Sequence, residues 1–323
     1  MTQKIKGSGS KLGSNDHKGA VKRRQVISSG ALFAALVSLQ GTESWAGTAD
    51  TNENQPTSGG GSGITKGYIH CSEGQIHYRE AGVSGKPVLC FFHQTASSSA
   101  MYEKVMILLS EDYHCFAFDS PGFGGSYHPK AIPEIGYLSD RLIEAIKNLG
   151  IQNFHACGHH TGGCIAVEMP VRYPELVDSL TIIGPVIVNE AEKQEYMKTF
   201  VRPFAIEPTG KFLITAWEYL RMIGASTSLA LHNREMIDHL IAHETMPMAF
   251  SAVWQQDVEM WYKKVECPLM IMCSKDDVLW PLFERAGVMR PDAKQFIVGG
   301  ADYQPDNDPK SVVLGLREFL GVI

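Results

Sequence analysis

The sequence predicts an α/β chain: a mostly parallel, eight-stranded sheet flanked by helices, with a helical cap inserted after strand six. Three observations carry this. Short, unbroken apolar runs of strand length alternate with segments of helical period along the chain, as strands buried on both faces require. From about Pro185 to Val265 the strand runs cease and helical patterns rich in Trp, Tyr, Met and His replace them. Between one apolar run and the helix pattern after it stands Gly158-His159-His160-Thr161-Gly162-Gly163, with glycines where a sharp strand-to-helix turn leaves no room for a side chain.

The elements follow in order. Tyr68-Ile69-His70-Cys71 and Gln75-Ile76-His77-Tyr78 flank Glu73-Gly74 and read as a hairpin. Val88 to Phe92 is a buried strand, ending in His93-Gln94-Thr95 and a Ser-rich loop, with a helix expected from about Met101 to Ser110. Cys115 to Phe118 is the next strand, closed by the turn Asp119 to Ser126. A helix from about Tyr137 to Leu149 places Leu142, Ile143, Ile146 and Leu149 on one side. Phe154 to Cys157 leads into the sharp turn, whose helix runs to about Tyr173, and Leu180 to Ile183 is another buried strand. Phe212 to Ile223 and Arg234 to His243 read as helices of the insert. The sheet resumes at Leu269 to Met272 and Phe296 to Val298, and Val312 to Phe319 closes the chain as a helix. Such alternation implies right-handed crossovers.

The turn at His160 has the small-x-X-x-small spacing of a nucleophile elbow, which lifts its central residue over a helix N-terminus where backbone N–H groups meet developing negative charge. With it come Asp119-x-x-Gly122-x-Gly124-x-Ser126, the His93 loop, and Pro268 before a strand ending near Asp276-Asp277. In this order the motifs make Ile64 to Ile323 resemble a cap-bearing α/β-hydrolase. The resemblance implies a nucleophile, an acid and a histidine in that chain order. The nucleophile position falls on His160, where serine is expected. The acid falls on Asp277 by the Asp-x-x-x-Pro spacing of Asp277 to Pro281, with Asp276 the competing neighbour. The histidine position falls on Asp302, within Val298-Gly299-Gly300-Ala301-Asp302-Tyr303.

Both ends of the usual Ser–His pair are therefore changed, and the changes are chemically linked. Aspartate is a poor base for serine, whereas an imidazole facing a carboxylate gains basicity and a fixed tautomer. The expectation is that His160 faces Asp302, with Asp277 as second orienter, and acts as general base; direct attack by the imidazole is the alternative. The oxyanion site is expected at the Thr161 N–H with an N–H from Gln94 or Thr95. His93, His159 and Asp119 read as supporting residues. Trp217 and Trp254 are candidates for lining a pocket beneath the cap. His239 and His243 lie four apart, but the glutamate of a metalloprotease helix is missing between them, so no metal and no cofactor is expected. The reaction expected is hydrolysis of an ester, lactone or related bond in a small apolar substrate. A cofactor-free lyase, decarboxylase or isomerase, or a non-catalytic binding protein, are the other readings.

The chain has 323 residues, 44% hydrophobic and 20% charged, with a formal net charge of −6. That suits a large soluble core and gives no footing for nucleic acid; the partner expected is a small molecule, and the oligomeric state is not specified. Residues 1–46 read as a twin-arginine-like signal peptide: Lys22-Arg23-Arg24, an apolar run from Val26 to Leu39 too short to span a bilayer, then Ser44-Trp45-Ala46 as the cleavage pattern. A periplasmic or secreted location follows, without membrane association once the signal is removed. Residues 47–63 read as a linker, 64–323 as one domain, and about 185–265 as its cap. The seven cysteines sit mostly in apolar strand patterns and read as small core residues, with at most one pair able to cross-link.

Overall fold

A computed structural model describes residues 63–132, 134–199 and 206–321. The expected signal peptide and nearly all of the linker lie outside these residues. One eight-stranded sheet organises the chain, with strand order β1-β2-β4-β3-β5-β6-β7-β8. The strands are β1 (Thr65–Cys71), β2 (Gly74–Ala81), β3 (Val88–Phe92), β4 (His114–Phe118), β5 (Phe154–His159), β6 (Val177–Ile183), β7 (Leu269–Ser274) and β8 (Lys294–Val298). The hairpin β1–β2 pairs antiparallel and joins β4 antiparallel; every pairing from β4 to β8 is parallel.

Helices α1 (Glu103–Leu109), α2 (Ile135–Asn148) and α3 (Thr161–Arg172) follow β3, β4 and β5. A 3₁₀ turn at Ser99–Tyr102 precedes α1, where the sequence suggested one continuous helix. Between β6 and β7 lie α4 (Glu190–Thr199), α5 (Lys211–Met222), α6 (Leu229–Ile241), α7 (Met246–Gln255) and α8 (Val258–Lys264), with no strand among the described residues. α9 (Trp280–Met289) follows β7, a single turn at Gln304–Asn307 follows β8, and α10 (Pro309–Leu320) ends the domain. α9 escaped the sequence reading because Pro281 and Gly287 interrupt its pattern; here Pro281 takes the first turn, where its missing N–H costs nothing.

Two apolar layers sandwich the sheet. One joins Ile76, Phe92, Phe118 and Ile182 to α2, α3 and the insert; the other joins Phe91, Met101, Met270 and Met272 to α1 and α10. Polar anchors tie the insert to the sheet's C-terminal edge. Arg234 of α6 grips Asp306 with both terminal nitrogens at 2.9 and 2.6 Å. Ser97 and Ser98 donate to Glu235 and Asp238, each at 2.9 Å, and Gln256 donates to the Cys164 carbonyl at 2.9 Å and to Glu168 at 2.7 Å. All seven cysteines are free thiols, five of them buried.

Candidate active site

The elbow exists because backbone passes backbone there with no space between. A Cβ on Gly158 would lie 2.2 Å from the Gly162 carbonyl oxygen, and one on Gly162 would lie 2.0 Å from that of Phe92. His160, between them, holds φ 47° and ψ −109°, a strained conformation for a residue with a side chain. Its own N–H donates to the Ile183 carbonyl, and its carbonyl accepts the first helical bond of α3 from Cys164. The N–H groups of Thr161, Gly162 and Gly163 precede that ladder and form the positive end of the helix.

The His160 ring extends across Gly184 to the end of β7, where Nε2 lies 2.9 Å from Asp277 Oδ2. Gly184 makes this reach possible: a Cβ there would sit 2.2 Å from the ring's Cδ2 and 2.4 Å from Nε2. Asp277 also accepts the Leu279 N–H on Oδ1 at 2.6 Å and the Gln304 amide on Oδ2 at 2.5 Å. Gln304, fully buried, accepts from His159 Nε2 at 2.5 Å through its Oε1. The roles are then fixed along the chain of bonds. Asp277, as acceptor, receives hydrogen bonds from both Gln304 and His160, so His160 carries its proton on Nε2 in the neutral ring and Nδ1 holds the lone pair. Among the described residues no group bonds that Nδ1.

Burial pulls the His160 imidazole down, but the Asp277 charge and hydrogen bond outweigh it and leave the ring more basic than usual. Asp277 is correspondingly held below its usual range against its own burial, chiefly by His160 and the Leu279 N–H. His159 stacks parallel to His160 at 4.2 Å and 9°, and burial together with the neighbouring imidazole draws it down to about 3. It stays neutral and fixes Gln304.

Several expectations are corrected here. The carboxylate bonded to His160 is Asp277, not Asp302. The ring swings over Gly184 toward β7, while Asp302 Oδ1 is taken by the Val278 N–H at 3.0 Å. Asp302 is 4% exposed and reaches His160 only through its charge. Asp276 is exposed whereas Asp277 is buried, which separates the two. The Gln94 side-chain amide donates to the Asp302 carbonyl at 3.2 Å. Thr95 and Thr161 hydroxyls bond each other at 2.9 Å beside the start of α3. Trp217 stacks on His232 at 3.6 Å within the cap, and Trp254 packs into the core against Tyr196 at 4.8 Å. His93 is a strut: with Nδ1 donating to the Gln94 carbonyl and Nε2 accepting the Ser120 N–H, both its nitrogens are used. Asp119 gathers the Ser99 and Gly125 N–H groups and His77 around its glycine turn.

His159, His160 and Asp277 lie close enough to suggest a metal site. Both Nε2 atoms are already engaged, that of His159 by Gln304 and that of His160 by Asp277. His243 lies beyond the end of α6 and bonds the Leu240 carbonyl, so His239 and His243 do not share a helix face. Gln304 and Gly184 were missed from sequence. The available signals were an amide in a segment that must be buried and a glycine directly after the apolar end of β6.

Residues 87–222 match the family described as alpha/beta hydrolase fold. The 2-(acetamidomethylene)succinate hydrolase of Mesorhizobium japonicum is 35% identical over 255 residues, covering 76% of this chain and 91% of that protein. A 2-hydroxy-6-oxononadienedioate/2-hydroxy-6-oxononatrienedioate hydrolase from Pseudomonas sp is 30% identical over 125 residues, a match spanning 38% of this chain and 43% of that one. The enol-lactonase of Burkholderia xenovorans superposes with a TM-score of 0.63 at 14% identity, covering 79% of this chain and all of the other. The chain belongs to the α/β-hydrolase-fold family. By class it is a hydrolase.

Proposed function

We propose that this protein hydrolyses an ester, lactone or related acyl bond in a small substrate by activating water rather than by forming an acyl-enzyme. The observation that carries the reading is the His160–Asp277 hydrogen bond at the elbow, which uses Nε2 and leaves Nδ1 as the base. Water bound at Nδ1 gives up its proton to the ring as its oxygen attacks the carbonyl carbon. Asp277 stabilises the imidazolium so formed, and Gln304 keeps Asp277 in place. The Thr161 N–H, with a backbone N–H from Gln94 or Thr95, supports the oxyanion over the helix N-terminus. The sequence relative that acts on 2-(acetamidomethylene)succinate makes acyl–nitrogen bonds a natural part of the substrate panel.

Turnover of esters, lactones and enamides by the wild type, beside His160→Ala and Asp277→Ala, tests this. Collapse in both variants supports the reading; activity surviving both overturns it. A second reading is favoured by the missing elbow hydroxyl: the same base could move protons in a cofactor-free lyase or isomerase. Products containing oxygen from labelled water separate the two. Export is proposed on residues 22–46 alone, and recovery of a chain beginning near Gly47 in the periplasmic fraction is its check.

A further inference from the structure

The described chain has two non-glycine residues with positive φ. One is His160; the other is Ala301, at φ 50°, immediately before Asp302. Strain of this kind persists where surrounding structure over-determines it, and it clusters at working sites. The Ala301 turn is held from several sides. Gly300 supplies φ 105°, Gly224 of the cap leaves room for the Ala301 Cβ, and the Gln94 amide clasps the Asp302 carbonyl at 3.2 Å. A position vacated by a lost histidine has no need of such a frame.

Asp277 and Asp302 share one buried region but differ in their donors. Asp277 accepts three N–H groups, from His160, Gln304 and Leu279. Asp302 accepts one, from Val278, on Oδ1, and no group among the described residues bonds its Oδ2. Two neighbouring carboxylates in a poorly solvated site do not both ionise, and the better-donated one keeps the charge.

We propose that Asp302 is the general acid of this site, protonating the leaving group while His160 Nδ1 deprotonates the attacking water. This rests on the hydrolytic reading above. The C–O bond to water forms as the water proton passes to Nδ1. When the tetrahedral intermediate collapses, the bond to the leaving oxygen or nitrogen breaks, and that atom takes the Asp302 proton. The proton on His160 then returns to Asp302 through solvent, so the net change is addition of one water. The device serves unactivated esters, lactones and amides, whose leaving groups depart poorly as anions.

The surrounding groups are consistent with this. Burial and the Asp277 charge push Asp302 up to about 7, with His160 pulling the other way. Tyr219 from α5, Tyr303 and the Cys273 thiol also sense Asp302, and burial pushes all three up, so they are uncharged at neutral pH.

The test is Asp302→Asn, which keeps the acceptor for the Val278 N–H, assayed on a series of acetate esters from ethyl to p-nitrophenyl. The expected loss is roughly 10²-fold or more for the alkyl ester and shrinks steadily as the leaving group improves. The alkaline limb of the wild-type pH profile, where Asp302 loses its proton, should vanish in the variant. A uniform loss across the series overturns the acid role while leaving hydrolysis standing. Wild type inactive on every ester overturns the hydrolytic reading instead. The carboxylic-acid C=O infrared band at pH 6 then decides the acid separately: Asp238, also pushed up to about 7, contributes to it in both proteins, so a component lost in Asp302→Asn supports a proton held there, and no difference overturns it.

Discussion

Replacing Gly184 with alanine tests the His160–Asp277 geometry without touching either partner. The new Cβ would stand 2.2 Å from His160 Cδ2, where ordinary contact begins at 3.4 Å, so the ring must retreat by roughly 1.2 Å. The 2.9 Å bond to Asp277 would then open past hydrogen-bonding range, since Asp277 is itself tethered by Leu279 and Gln304 and cannot follow. Displacement of a catalytic group by about 1 Å costs on the order of 10²-fold in rate, and that is the loss expected in kcat/KM. Freed from the Asp277 anion, the imidazole titrates lower, so the acid limb of the pH profile moves to lower pH. Alanine at φ 62° adds roughly 1–2 kcal/mol of backbone strain, a melting shift of several degrees. Steady-state kinetics, the NMR titration of the ring and a thermal melt measure the three effects. A Gly184→Ala variant with wild-type kcat/KM and an unmoved acid limb would refute the idea that the ring works from its seat against Asp277.

Two further substitutions probe the supports. Gln304→Leu removes one donor from Asp277 and strands the His159 N–H in the core; the expected result is about 1–3 kcal/mol of destabilisation, seen in urea unfolding. The same change leaves Asp277 a stronger partner for the imidazolium, so the acid limb should move to higher pH, opposite to Gly184→Ala. Arg234→Met leaves Asp306 and Glu235 uncompensated beneath the cap, with an expected cost of roughly 3–5 kcal/mol. Adding Asp306→Leu should restore part of that stability, measured as a recovery in Tm.

The fold was legible because its signals are local. β3, β4 and β6 announce themselves as apolar runs, and the elbow as glycines whose absent side chains make room for passing backbone. The family resemblance pointed to His160, Asp277 and Asp302, and the structure brings the first two within 2.9 Å of each other. Which carboxylate meets the ring was not legible. Chain order gives the strand each residue follows, but the choice between Asp277 and Asp302 depends on the side-chain direction at His160, and that is decided by Gly184, more than twenty residues away. Gln304 was hidden for a related reason. Its amide acquires meaning only when the turn after β8 brings it between Asp277 and His159, and a lone glutamine carries no periodic signal. For Trp217 and Trp254 the structure gives packing partners, His232 and Tyr196, which aromatic content alone could not name.

An imidazole at the elbow also decides which chemical probes register this protein. Fluorophosphonates tag hydrolases of this fold by phosphonylating the elbow hydroxyl, and His160 offers none. Profiling of that kind would pass the protein by. Diethyl pyrocarbonate, which acylates neutral imidazole, has the unbonded Nδ1 of His160 to attack.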